Sequence, residues 1–377
     1  MGAETRQRGK RFVYANRRHR GDTVSLSRLG AAALIYAASA TVLAQPTSSV
    51  TLYGIVDAAI VRSDPSSGPG TTELFSGLQS GSRWGFRGRE QIGPGLSAEM
   101  QLEGGFGTDT GQLAQGGRLF GRLAWVGLSG GLGQVRFGRF NLAGHDLADT
   151  ISPFGVVFSD AGVNRAVATS STILRVDNLS MYTTPKLGGF EGKLGYSFRH
   201  DGTEVAGNGN NTNVITSSVT FTAGNLYAGV SYEAINCPDN TTTPATGTCS
   251  AALKEDQKHL MAGITYDLKV VRLRALYSKE DNVFTTAAVS NSPESVGYLL
   301  GLTAPIGSGE LKLVWQDRND KGPANADLRI WAVGYQYDLS RRTSLAVFYV
   351  DTDNENGVAA LVARDRKQYG AGLRHRF

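Results

Sequence analysis

Over most of the chain apolar and polar side chains alternate in segments of about ten residues, and glycine-rich turns separate the segments. The first segment sets Val50, Leu52, Val56, Ala58 and Ile60 on one face and Thr51, Tyr53, Ile55 and Asp57 on the other. After a Pro-, Gly- and Ser-rich loop over Ser63 to Ser80, Trp84 and Phe86 oppose Arg83, Arg87 and Arg89. Leu96, Ala98, Met100 and Leu102 then oppose Ser97, Glu99, Gln101 and Glu103. A fourth segment directs Leu123, Trp125 and Gly127 outward and Arg122, Ala124 and Val126 inward. The fifth ends at Phe140 and cannot point both Arg136 and Arg139 inward under strict alternation.

The alternation lapses from Phe140 to Thr172. It returns near 173–185, 189–199, 213–222 and 225–235, continues through Leu260–Leu268 and Val271–Tyr277, and ends in Tyr369–Phe377 after four further segments within 295–352. The total is about sixteen, an even number, and short turns at 93, 130, 187, 224, 269, 306 and 340 alternate with long polar loops. This pattern predicts an all-β fold, a 16-stranded antiparallel transmembrane β-barrel with short periplasmic turns and longer external loops. A charge on the lipid face at mid-bilayer costs roughly 2–4 kcal/mol, so the strand arginines are expected in the lumen or at the rims. A strandless stretch of about thirty residues needs a role of its own. Residues 140–172 are expected to fold inward as the third external loop and narrow the channel.

Composition sharpens this picture. The 377 residues include 48 glycines, and mean hydropathy is slightly negative. After the leader no apolar run approaches the roughly 20 residues of a membrane-spanning helix. The net charge of +5 would suggest an acidic partner, but eight basic and two acidic residues lie in 1–44; thirty basic and thirty-one acidic residues remain, so no nucleic-acid partner is expected. The basic start, the apolar run Leu29 to Leu43 and Val42-Leu43-Ala44 predict a signal peptide over 1–44, with a single barrel domain over 45–377. Such a chain is exported, and Cys237 and Cys249, in a polar Thr/Pro/Asn/Gly-rich segment, are expected to form one disulfide.

Enzymatic readings find little support. His145-Asp146 is an adjacent pair inviting a general-base role, yet sequence neighbours seldom form such a pair. Gly131-Leu132-Gly133 reads as a hairpin turn, since no βαβ unit surrounds it. No enzyme activity, cofactor or metal site is expected. Tyr53, Trp84, Trp125, Tyr232, Tyr277, Trp315 and Trp331 are candidates for the interfacial aromatic girdles.

Val50-Thr51-Leu52-Tyr53-Gly54, Ser82-Arg83-Trp84-Gly85-Phe86-Arg87-Gly88, Gly116-Gly117-Arg118-Leu119-Phe120-Gly121-Arg122, Phe137-Gly138-Arg139 and the terminal Phe377 stand in an order and spacing that resembles the general porins of Gram-negative outer membranes, in particular the β-proteobacterial type. The resemblance covers residues 45–377. It implies a homotrimer in the outer membrane whose third external loop faces basic wall residues across an eyelet. By position, the wall residues are Arg83, Arg122, Arg139 and Arg175, and the loop acids are Asp146 and Asp149, with Asp160 a further candidate. Ile55 stands where some relatives carry lysine, and Ser152 lies where a glutamate is common, which points toward anion preference. Phe377, preceded by His375, Leu373, Ala371 and Tyr369 at alternate positions, looks like the assembly signal read by the barrel-assembly machinery. The expected function is passive diffusion of small ions and hydrophilic solutes, with outer-membrane lipid and lipopolysaccharide as surroundings. The alternatives are a substrate-specific channel with a saturable site and a barrel-scaffolded outer-membrane hydrolase.

Overall fold

A computed structural model of the chain describes residues 48–167, 175–206, 211–236, 256–283, 292–322, 325–354 and 365–377. The expected signal peptide, the end of the expected constriction loop at 168–172, and both cysteines lie outside the described residues.

The first half of the wall comprises β1 (Ser48–Pro65), β2 (Thr71–Ser76), β3 (Arg83–Gly93), β4 (Leu96–Gly105), β5 (Leu123–Gly130), β6 (Gly133–Phe140), β7 (Val176–Thr183), β8 (Phe190–Ser197) and β9 (Asn213–Ala223). The second comprises β10 (Leu226–Asn236), β11 (Gln257–Asp267), β12 (Arg272–Val283), β13 (Ser292–Ile306), β14 (Gly309–Asp320), β15 (Leu328–Asp338), β16 (Thr343–Asp353) and β17 (Arg366–Arg376). Each pairs antiparallel with its neighbours, and β1 pairs with β17 from Ile55 opposite Arg376 to Pro65 opposite Arg366, which closes the barrel and leaves no free sheet edge. Beyond this register the amide and carbonyl of Phe377 exchange hydrogen bonds with Gly54, 3.1 Å each. A side chain at Gly54 would meet the Phe377 ring.

Both β2 and β3 pair with β1, over Ala58–Ser63 and Ser48–Ile55 respectively, so they share one wall position and the barrel has sixteen. The loop expected over Ser63 to Ser80 therefore contains a strand. The break between β2 and β3 is held by Asp57 of β1, whose carboxylate accepts the amides of Gln79 and Ser80 at 2.9 Å each. Leu78 at the break is fully buried beside Ala59 and Val61.

Alternation separates the two surfaces of the wall. Val50, Leu52, Ile60, Val219, Leu300 and Val347 are exposed on the outside, while Gln316, Glu280 and Ser278 on the other face are buried. In β5 the expected facing is reversed: Val126 and Leu128 are exposed, and Leu123 and Trp125 pack inward. Arg122 caused the inversion. It precedes β5 in a bend, so strand alternation does not govern where it points.

Between β6 and β7 lie helix α1 (Ala143–Ile151) and a 3-10 turn at Ser159–Ala161. α1 packs against β8 to β12 and the turn against β15 and β16. Its buried residues Leu147, Ala148 and Ile151 join Phe154, Val156 and Phe158 in one apolar cluster with Met261, Leu299, Ile330 and Phe348 of the wall. Burying a side chain of this size contributes about 1.5–3 kcal/mol. The wall makes room with strand glycines: a side-chain carbon at Gly229 would meet Leu147, at Gly263 Ile151, at Gly301 Pro153 and at Gly334 Phe154.

Candidate functional site: an arginine-lined cavity

The site is a polar cavity of about 770 Å³ bounded by β1, the break between β2 and β3, and the segment that begins with α1. Arg83, Arg122 and Arg175 line it from the wall, and Asp146 and Asp149 from α1. Five of the six residues expected at a constriction are thus brought together.

Arg139 is not. Its Nη1 donates to Asp177 Oδ1 at 2.7 Å and its Nε to the Gly121 carbonyl at 2.8 Å. Arg118 joins the same cluster, bonding Asp177 at 2.9–3.0 Å and Asp201 at 2.6 Å. The register between β6 and β7 shifts from Gly138 to Phe140, with Asn178 in the left-handed region at φ 52°, so the pattern that placed Arg139 on the wall fails locally. Arg136 lies over Phe140 at 4.5 Å and Trp125 at 5.4 Å as a cation–π partner. Asp160 also lies away from the cavity, where Arg366 Nε donates to it at 2.6 Å and Arg165 approaches to 3.2 Å.

Sequence reasoning missed the residue that organises the arginines. Glu103 of β4 accepts Arg122 Nε at 2.6 Å and the Tyr53 hydroxyl at 2.8 Å, and Arg83 Nη1 stands 3.8 Å away. Arg122 and Glu103 are buried, and a charge there needs its partner to offset lost hydration. Tyr53 is consequently bound inside and is no girdle residue; Arg87 stacks over its ring at 4.3 Å. Arg87, Arg374 and Arg376 complete the basic lining. Strand alternation was the signal for them: Arg374 and Arg376 flank the outward His375.

The acids on α1 are already engaged. Asp146 Oδ2 accepts Lys193 Nζ at 2.6 Å, and its Oδ1 is 3.5 Å from His145 Nδ1. Burial pushes the Asp146 carboxyl up, but the hydrogen bond to His145 and the Lys193 charge outweigh it, holding the group below the usual carboxylate range. Asp149 Oδ1 accepts the Val156 amide at 3.2 Å. Burial first, then the charges of Arg122 and Arg83, bring Arg175 down to about 9. Six arginines therefore face three acids around one aqueous space.

The Gram-negative porin family matches residues 30–357. The chain belongs to that family. It is 32% identical to an outer membrane porin protein of Bordetella pertussis, over 89% of this chain and 96% of that one. It is 31% identical to outer membrane porin protein 32 of Delftia acidovorans, over 82% and 85%. An anion-selective porin from Comamonas acidovorans has the same fold, with a TM-score of 0.71 at 27% identity, covering 88% of this chain and 100% of that one. This porin is thus a channel of the Gram-negative outer membrane, a closed 16-stranded antiparallel barrel that passes solutes through its lumen.

Proposed function

We propose that this porin is a passive diffusion channel with a preference for anions, and that residues 140–172 form the constriction. The excess of arginine over acid around the cavity carries the proposal: Arg83, Arg87, Arg122, Arg175, Arg374 and Arg376 against Glu103, Asp146 and Asp149. Two of the acids are already occupied by Arg122 and Lys193, so the surplus charge seen by a passing ion is positive. The Comamonas relative is anion-selective, which agrees with this reading. The inward course of the loop is supported by its contacts with wall residues on the face opposite the exposed apolar band.

The remaining assignments follow from the same reading. The barrel assembles as a homotrimer among outer-membrane lipid and lipopolysaccharide, residues 1–44 direct export, Cys237 and Cys249 close an external loop, and Phe377 addresses the assembly machinery. The chain performs no catalysis.

Reversal potential in a planar bilayer under a salt gradient tests the preference. At water's dielectric constant a unit charge about 8 Å from the ion path is worth about 0.5 kcal/mol, slightly more than twofold in partition. Replacing Arg83 and Arg122 together with alanine is expected to lower the anion partition by about fivefold and to raise the cation partition by as much. An unchanged reversal potential in a conducting double variant defeats the assignment of those wall residues.

A further inference from the structure

Helix α1 begins without a local cap. Leu142 at its N-cap position has no hydrogen-bonding side chain, and none nearby bonds the first helical amides. Unbonded amides at a buried helix start are costly, and short polar residues normally satisfy them. Here the barrel wall supplies the acceptors. The Ala143 amide donates to Thr216 Oγ1 at 2.9 Å, and the Gly144 amide donates to Glu233 Oε1 at 2.7 Å. Thr216 donates in turn to Glu233 Oε1 at 3.1 Å, so a single carboxylate oxygen receives both.

These residues are far apart in the chain but adjacent in the wall. Thr216 of β9 pairs opposite Glu233 of β10, which pairs opposite His259 of β11. Glu233 is 1% exposed and does not line the cavity, so it acts on a permeating ion only through what it holds. Residue 144 has to be glycine at this distance: a side-chain carbon there would lie 2.5 and 2.7 Å from the two Glu233 oxygens. The next turn of the same helix carries Asp146 and Asp149 into the cavity.

We propose that Glu233, with Thr216, is the positioning residue of this porin's constriction: it fixes the start of α1 and thereby the place of Asp146 and Asp149 opposite the arginines. The proposal rests on the constriction reading above.

Two measurements on the full-length barrel test it. Hydrogen exchange over residues 141–147 reads the docking directly, and single-channel current reads its effect on the bore. A hydrogen bond of this kind is worth about twofold to tenfold in the docked population, so Glu233→Ala is expected to accelerate exchange at 143 and 144 by that factor while the strands keep wild-type protection. Open-channel noise and conductance are expected to rise together. Glu233→Gln keeps an acceptor in reach and is expected to restore both readouts most of the way, a rescue that a purely space-filling role would not show for exchange at those two amides. If the alanine variant does not assemble, Thr216→Val carries the test with a smaller loss of protection at Ala143. Wild-type exchange and a wild-type current trace in the assembled alanine or valine variant overturn the proposal. The alanine pair Arg83→Ala and Arg122→Ala separates the two readings: a shifted reversal potential there, with no effect at Glu233, removes the anchor and leaves the constriction.

Discussion

Around the cavity, β3, the bend before β5 and β17 present arginine to open space, whereas from β9 to β16 the wall presents glycine, serine and aliphatic side chains to residues 143–167. The two stretches belong to one sheet and share one alternation of faces. What differs is the neighbour. A guanidinium facing water keeps most of its hydration, so the first stretch accommodates several like charges around one cavity. Where protein covers the wall, an unpaired charge would be costly, and bulk would push the covering segment away. The buried polar group Glu233 in the second stretch is correspondingly held by specific bonds, from Gly144 and Thr216.

The contrast is broken most severely by putting bulk on the covered side. Gly263→Leu would place side-chain atoms where Ile151 now sits. Overpacking of this kind costs about 1–3 kcal/mol. Here it is expected to expel Ile151 and its neighbours and to appear as raised single-channel conductance and as new protease cleavage within 143–167. Uncut protein with unchanged conductance would mean that the glycines do not seat the segment.

The open side is sharpened by removing the buried acid that holds Arg122. Glu103→Gln leaves Arg122 without its carboxylate, and hydrogen bonds to charged groups are worth about 1.5–3 kcal/mol. The midpoint of denaturant unfolding is expected to fall while anion preference increases, because a negative charge has left the cavity. Lower anion preference in the reversal potential would contradict the charge balance drawn here.

A smaller effect comes from pH. Arg175, brought down to about 9, is expected to lose its charge as pH rises through that value, and with one positive charge fewer in the cavity the anion partition is expected to decline about twofold. The sign is that of a lowered base: the charge is present below this pH and absent above it. Arg175→Gln should abolish the step in a titration of reversal potential, and persistence of the step would assign it to another group.

The smallest effect is expected at Arg139, an arginine outside both stretches. Its pair with Asp177 is partly exposed, and such pairs contribute about 0–1 kcal/mol. Arg139→Ala is expected to leave selectivity unchanged, and a shift as large as that of Arg83→Ala would return it to the wall set.

Most of the barrel was legible because a two-sided environment writes a period of two into each strand. Val50 and Leu52 outside and Tyr53 and Asp57 inside needed no tertiary information. The same period misled at its interruptions. Arg122 lies in a bend before β5, Arg139 beside a register shift, and β2 behind a break held by Asp57. At each of these points a side chain's direction depends on local backbone geometry, which alternation does not record.

Glycine usage illustrates the same limit. Gly229, Gly263, Gly301 and Gly334 fall within expected strands, but alternation does not say that they lie under Leu147, Ile151, Pro153 and Phe154.

The sequence by itself determined the closed barrel, its polar lumen and its long-loop side, because each is imposed by lipid on one face and water on the other. Tertiary structure alone decided that Glu103 holds Arg122, that Arg139 belongs to another cluster, and that Glu233 holds the start of α1. Those partners are 19, 38 and 89 residues apart along the chain. A contact between distant positions leaves no periodic trace in either segment, so only closure of the wall brings the partners together.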